Sequence, residues 1–187
     1  AELGFKWRSF TLEQLSQSQS AVAPFLISVS EVTEGQYQSC VEASVCVART
    51  STRDCPIKTK RDPKVPVTCI TFEEANTFAQ YVGGTLPERG HWSAIMATQK
   101  PMTYPWGVTS PSPQHANLRY SDHIAATKLA PVCSASLGDS KQGLCDLIGN
   151  VHEWLVINFS STVIDGKEKL TPLKVGFSGG GWLSPAN

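Results

Sequence analysis

Apolar positions fall into a few short periodic stretches separated by longer polar ones. Residues 25–29 (Phe-Leu-Ile-Ser-Val) form a short apolar run, the length of a buried strand. Thr33 and Gln36 are spaced as a helix capping box, in which each side chain satisfies an orphan backbone donor. Tyr37, Cys40 and Val41 follow at helical spacing. Residues 65–70 alternate as a strand, and Thr71 with Glu74 makes a second capping box. Behind it Ala75, Phe78, Ala79 and Val82 repeat with helical period, and Gly83-Gly84 fall where a left-handed C-cap is wanted. A third helix is expected from Leu86-Pro87 onward, with Trp92, Ile95 and Met96 on one face. Residues 43–64 are polar and aperiodic, a long loop of the kind that is functional or stapled. Beyond Lys100 the chain is rich in Pro, Gly, Ser and Asn, so loops and short strands are expected there. No repeat and no linker interrupts the 187 residues, which predicts one domain over 1–187.

Composition narrows the function classes. Sixteen basic residues balance sixteen acidic ones, so no electrostatic footprint for nucleic acid exists. Apolar residues make up 41% and charged residues 17%, which argues for a packed core over disorder. No apolar run approaches the roughly 18 residues of a membrane span. Residues 1–10 include Glu2, Lys6 and Arg8 and lack a signal-peptide pattern, so any such peptide is expected to have been removed.

Six cysteines are an even and high number: Cys40, Cys46, Cys55, Cys69, Cys133 and Cys145. None forms a Cys-x-x-Cys, and the four histidines (His91, His115, His123, His152) show no helical pairing, so the usual zinc patterns are missing. Disulfides are the expected state. Six cysteines allow many pairings, but Cys133 with Cys145 closes a short loop holding Gly138 and Gly143 and is the preferred pair. Bridges imply an oxidising compartment: periplasm, cell surface or exterior. Asn158-Phe159-Ser160 is formally a glycosylation sequon, of low specificity.

A series of short segments carries a family resemblance. In order they are Glu31-Val32-Thr33, residues 66–72 (Pro-Val-Thr-Cys-Ile-Thr-Phe), Gly84-Thr85-Leu86-Pro87 with Trp92, Tyr104-Pro105-Trp106-Gly107 and Ala116-Asn117. Ala130-Pro131-Val132, residues 143–154 and Gly179-Gly180-Gly181-Trp182 complete it. The series resembles the formylglycine-generating enzyme (sulfatase-modifying factor) family from about residue 25 onward, leaving residues 1–24 as an N-terminal extension. The resemblance implies an α+β, C-type-lectin-like fold with few regular elements and many loops. Family functions range from copper-dependent oxidases through iron-dependent sulfoxide synthases to non-catalytic binding modules, so fold does not settle function.

Several site expectations follow from the resemblance. The oxidases carry two cysteines after the Gly-rich motif, and copper(I) prefers such thiolates. Here Ser184 stands at the first position and the sequence ends at Asn187, so the family's C-terminal segment is expected to be missing and copper is not expected. The family's glutamates in its Leu-Pro-Thr-Glu-Ala-Glu-Trp signature are replaced by Arg89 and His91. Calcium is expected instead, at Asp146, Gly149, Val151 and Glu153, which offer the hard oxygens this ion takes. A second ion is implied at Asn117, Leu118, Asp122 and Ile124, with shortened spacing. The leading expectation is a non-catalytic, calcium-stabilised module binding a protein or small ligand through loops 43–64 and 103–119. The alternatives are an oxidase whose cysteine pair lies beyond this sequence, and a hypervariable lectin-like display protein.

Overall fold

The computed structural model describes residues 4–17, 22–50, 62–97, 103–120, 128–165, 167–181 and 183–186. Strand β1 (Trp7–Phe10) pairs antiparallel with β2 (Phe25–Ser28), and helix α1 (Leu12–Gln17) lies between them in sequence. Phe10 stacks on Phe25 with ring centroids 5.0 Å apart. Phe10 and Leu15 are buried, so the segment placed outside the resemblance enters the core.

Both capping boxes form. Thr33 opens α2 (Glu34–Glu42), which buries Tyr37 and Cys40, and Thr71 opens α3 (Phe72–Tyr81), which buries Ala75, Phe78 and Ala79. Gly83 takes a φ of 76°, and the Gly84 amide returns to the Ala79 carbonyl at 2.8 Å, closing α3 as a left-handed cap does. The third helix, α4 (Arg89–Ala97), starts later than the Leu86-Pro87 expectation. The Pro87 carbonyl is taken by the Val156 amide, which holds that segment extended against a strand.

Two expectations are corrected. Residues 65–70 are not a strand: a single bridge joins Thr33 to Pro66. Pro66 has no N–H for a ladder, and Cys69 sits at φ 61°, a left-handed turn that stops extension. The second half is not all short pieces either. Strands β3 (Glu153–Ile164) and β4 (Lys167–Ser178) form a twelve-residue-per-strand antiparallel ribbon, with register shifts around Asn158. Leu155 and Val156 anchor its base, where Phe177 opposite Trp154 is nonetheless exposed, and Val163 and Leu173 are exposed farther along it.

Two apolar clusters make the core. Phe10, Leu15, Trp92, Ala94, Ile95, Leu144, Leu147 and Leu155 form one, and Tyr37, Cys40, Cys46, Val67 and Phe78 the other. Cys40 is bonded to Cys46 and Cys133 to Cys145, with S–S lengths of 2.02 and 2.08 Å. Cys69 is disulfide-bonded as well, and Cys55 lies outside the described residues. Among the described residues no cysteine is free. Denatured, unreduced protein is therefore expected to give no signal in a thiol titration, and reductant to lower the melting temperature. Losing a bridge in a small domain typically costs about 2–5 kcal/mol. A substantial free-thiol signal would refute this reading.

Loop 43–64 is tied down where it is described. Arg49 pairs with Glu34 and donates to the Thr68 carbonyl at 2.7 Å, and the Tyr37 hydroxyl donates to the Val47 carbonyl at 3.1 Å. Among the described residues no helix is long and apolar enough to cross a membrane.

Candidate functional site

The segment from Cys145 into β3 winds tightly because its residues tolerate left-handed backbone. Asp146, Gly149 and Asn150 have φ of 54°, 91° and 58°, and Asp and Asn are the side chains that enter this region most readily. Gly149 is required for a second reason: a Cβ there would lie 2.8 Å from the Asn117 carbonyl oxygen. Backbone bonds hold the turn from several sides. Cys145 N–H donates to Val29, Gly149 N–H to Gly179 and Asn150 N–H to Asn117, at 2.9, 2.8 and 2.9 Å.

Asn150 is the hub. It is only 1% exposed, and its amide makes four hydrogen bonds. The oxygen accepts from Asn117 Nδ2 and the Ala130 amide at 2.9 and 3.0 Å. The nitrogen donates to Glu31 Oε2 and the Ala130 carbonyl at 2.9 and 3.2 Å. Glu31, buried at 4% exposure, also accepts the Val151 amide at 3.2 Å. One amide thus joins four chain segments around a carboxylate.

Three carboxyls face one another electrostatically there. Burial pushes Glu31 well above its usual range, and the negative charges of Glu153 and Asp146 add to the push against its bonds from Asn150 and Val151. Burial also raises Asp146, which is opposed by the Cys133 amide bonded to its Oδ2 at 2.6 Å. Glu153 is pushed up to about 7 by burial and then by Asp146. Among the described residues none of the three is in an ion pair. The Glu153 carboxylate accepts no hydrogen bond there, and neither do the carbonyls of Gly149 and Val151.

These four residues lie along one short turn and the start of β3, with acceptors in excess of donors. That surplus suits a hard cation bound by two carboxylates and backbone carbonyls. Among the described residues no three His, Cys, Asp or Glu side chains converge as a metal site by themselves, so carbonyls would have to complete the shell. The second expected set is divided. Asn117 and Leu118 are described, the Asn117 amide being spent on Asn150 and the Lys128 carbonyl at 3.2 Å, whereas Asp122 and Ile124 lie outside the described residues.

Beside the turn lies a cleft of about 1130 Å³ lined by residues of both core clusters. Its lining is largely apolar, with Phe25, Trp92 and Leu147 from the first cluster and its neighbours and Tyr37, Val67 and Phe78 from the second. Glu31, His152, Glu153 and Ser184 supply polar groups. Ser184 closes the Gly-rich turn, its Oγ accepting the Gly181 amide at 3.0 Å and its own amide returning to the Gly181 carbonyl at 2.7 Å. Trp182 lies outside the described residues. His91 accepts the Glu88 amide at 3.2 Å and meets the Phe25 ring edge-on, while His152 packs against Phe177. Glu31 and Asn150 stand in quoted motifs without an assigned role. Their signal, a carboxylate at the end of an apolar run and a Gly-Asn pair, gains meaning only from contacts over a hundred residues apart.

Fold, bridges and the carboxylate turn together define a lectin-like α+β domain of the sulfatase-modifying type. The chain belongs to the sulfatase-modifying factor enzyme 1-like family, whose profile matches residues 4–187. It is 33% identical over 96 residues to a hercynine oxygenase of Mycolicibacterium thermoresistibile, a match covering 49% of this chain and 21% of that protein. A hercynine oxygenase of Mycolicibacterium smegmatis is 34% identical over 94 residues, covering 48% and 21%. The match thus spans about a fifth of these relatives' length. The crystal structure of CarF has the same fold, with a TM-score of 0.59 and 18% identity over 97% of this chain and 88% of that one.

Proposed function

We propose that this chain is an exported, disulfide-stapled and calcium-stabilised binding module on the formylglycine-generating-enzyme fold, without oxidase activity of its own. The observation that carries this reading is Ser184. It occupies the position where the oxidases carry a cysteine, and its hydroxyl closes a turn instead. Among the described residues no cysteine is free, so none of them offers a thiolate to a soft metal. Asp146 and Glu153, with the carbonyls of Gly149 and Val151, hold the calcium, which neutralises their charge and braces the turn. The cleft beside it takes a largely apolar small ligand or an inserted side chain of a protein partner. Residues 103–119 add a recognition surface on which Tyr104 stacks on Trp106 at 5.1 Å, with His115 at 5.2 Å from the same indole. The bridges support a periplasmic, cell-surface or secreted setting.

The test is direct. Aerobic incubation with copper and a sulfatase-type cysteine peptide is expected to leave the peptide mass unchanged. Conversion of the cysteine by this chain would refute the reading. The names of the relatives support a second reading, an oxygenase domain acting on a hercynine-like substrate together with parts outside this sequence. Consumption of hercynine under oxygen, followed by mass spectrometry, would establish that reading in place of the first.

A further inference from the structure

The carboxylate of Asp146 is fixed by a ring that is partly covalent. Asp146 follows Cys145 directly in sequence, Cys145 is bonded to Cys133, and the Cys133 amide donates back to Asp146 Oδ2 at 2.6 Å. Both ends of this ring have left-handed backbone, Cys133 at φ 57° and Asp146 at 54°. Neither residue is glycine, so the bridge and the hydrogen bond must hold conformations that a free chain disfavours. The two ends differ in how they are anchored. Cys145 is buried at 7% exposure and its amide is bonded to Val29, so it stays with the core. Cys133 is exposed, and the nearest backbone tie of its segment is the Val132 amide to the Lys64 carbonyl at 2.9 Å. Breaking the bridge therefore frees the Cys133 side first, and with it the donor that aims the Asp146 carboxylate.

From this geometry we infer that the Cys133–Cys145 disulfide is a positioning element of the cation site, so that calcium affinity depends on the redox state of this bridge. The inference rests on the calcium reading above. The chemistry is ordinary thiol–disulfide exchange. Two equivalents of a small thiol give up two electrons, the S–S bond breaks, Cys133 and Cys145 take up two protons as thiols, and the small thiol leaves as its own disulfide. Partners that orient a metal ligand typically contribute about 10–100-fold to metal affinity. Linkage makes the effect reciprocal: calcium must resist reduction of this bridge by the same factor.

Two measurements on the full chain test this. Calorimetric titration with calcium chloride is compared between the oxidised protein and C133S/C145S, below the melting temperature of each as set by circular dichroism. The variant is expected to bind about 10–100-fold more weakly. Because the variant can fail to fold, the second measurement uses the wild type: partial reduction by a small thiol with and without calcium, with the alkylated cysteines located by peptide mass spectrometry. Calcium is expected to protect Cys133–Cys145 while leaving Cys40–Cys46 unaffected. Equal protection of both bridges would show mere global stabilisation and overturn the inference, as would unchanged affinity in the variant. If the oxidised wild type binds no calcium at all, the calcium reading itself fails and the inference goes with it.

Discussion

Asn150→Ala is expected to be the most damaging single substitution in this domain. The amide it removes is 1% exposed and satisfies two donors and two acceptors, on Asn117, Ala130 and Glu31. A buried polar group left without its partner costs about 1–3 kcal/mol, more where a carboxylate is concerned. Truncation leaves the Ala130 amide and carbonyl, the Asn117 amide and one Glu31 oxygen short of a partner. Backbone strain adds to the loss, since alanine tolerates the φ of 58° less well than asparagine. The sum is at least about 4 kcal/mol, allowing for relaxation and entering water. In a domain of this size that lowers the melting temperature by about 10–15 °C. Asn150→Gly relieves the strain while losing the same bonds, so it is expected to melt slightly higher than the alanine variant. Asn150→Asp keeps the acceptor but turns the donor towards Glu31 into a charge, so its defect should shrink as pH falls. Thermal melts followed by circular dichroism decide the matter. A melting temperature for Asn150→Ala within about 3 °C of wild type would show that the hub is dispensable.

How much of this was legible beforehand depended on sequence distance. The capping boxes at Thr33 and Thr71 are i, i+3 arrangements, so the donor and acceptor that make them are both visible in four consecutive residues. The Asp146–Glu153 turn was likewise local. The Glu31–Asn150 bond spans 119 positions, and nothing near Glu31 marks it as the partner of a distant amide. The false strand at 65–70 came from alternation alone, which takes no account of the missing N–H of Pro66 or the turn at Cys69. The missed ribbon had a readable signal. Asp165-Gly166 is the pair that favours a tight hairpin, and Asp165 does take a φ of 51°. The flanking serines and threonines hid it by resembling loop composition, although threonine is a good strand former.

Chelation is expected to lower the melting temperature of the wild type, and to lower it more at high pH than at low. The reason lies in the carboxyls of Glu31, Asp146 and Glu153, which gather without a cationic side chain among the described residues. Without a metal ion their raised folded-state values mean that the folded protein holds protons the unfolded chain has released. Stability from this source is complete below the unfolded value and is lost as pH rises through the folded one. For Glu153 the window runs from 4.5 to about 7. A shift of that size corresponds to an upper figure on the order of 3 kcal/mol, lost between about pH 4.5 and pH 7. Chelated protein should therefore melt lower at about pH 8 than at about pH 5 for this reason. Calcium reverses the balance, because it binds the ionised carboxylates and only in the folded state. At one hundred times its dissociation constant it adds about 2.7 kcal/mol. Glu153→Gln removes one charged ligand and its share of the repulsion, so the chelator effect should nearly vanish in it, whereas the pH slope should shrink but keep the part that burial of Glu31 and Asp146 supplies. Magnesium should rescue the chelated wild type poorly, since a turn rich in carbonyls does not offer its tight octahedron. Melts of wild type and Glu153→Gln with chelator, calcium and magnesium across this pH range test every part of the reading. If chelator leaves the wild type unmoved at the upper end of the range, where the carboxylates are ionised and need the ion most, no cation is held there.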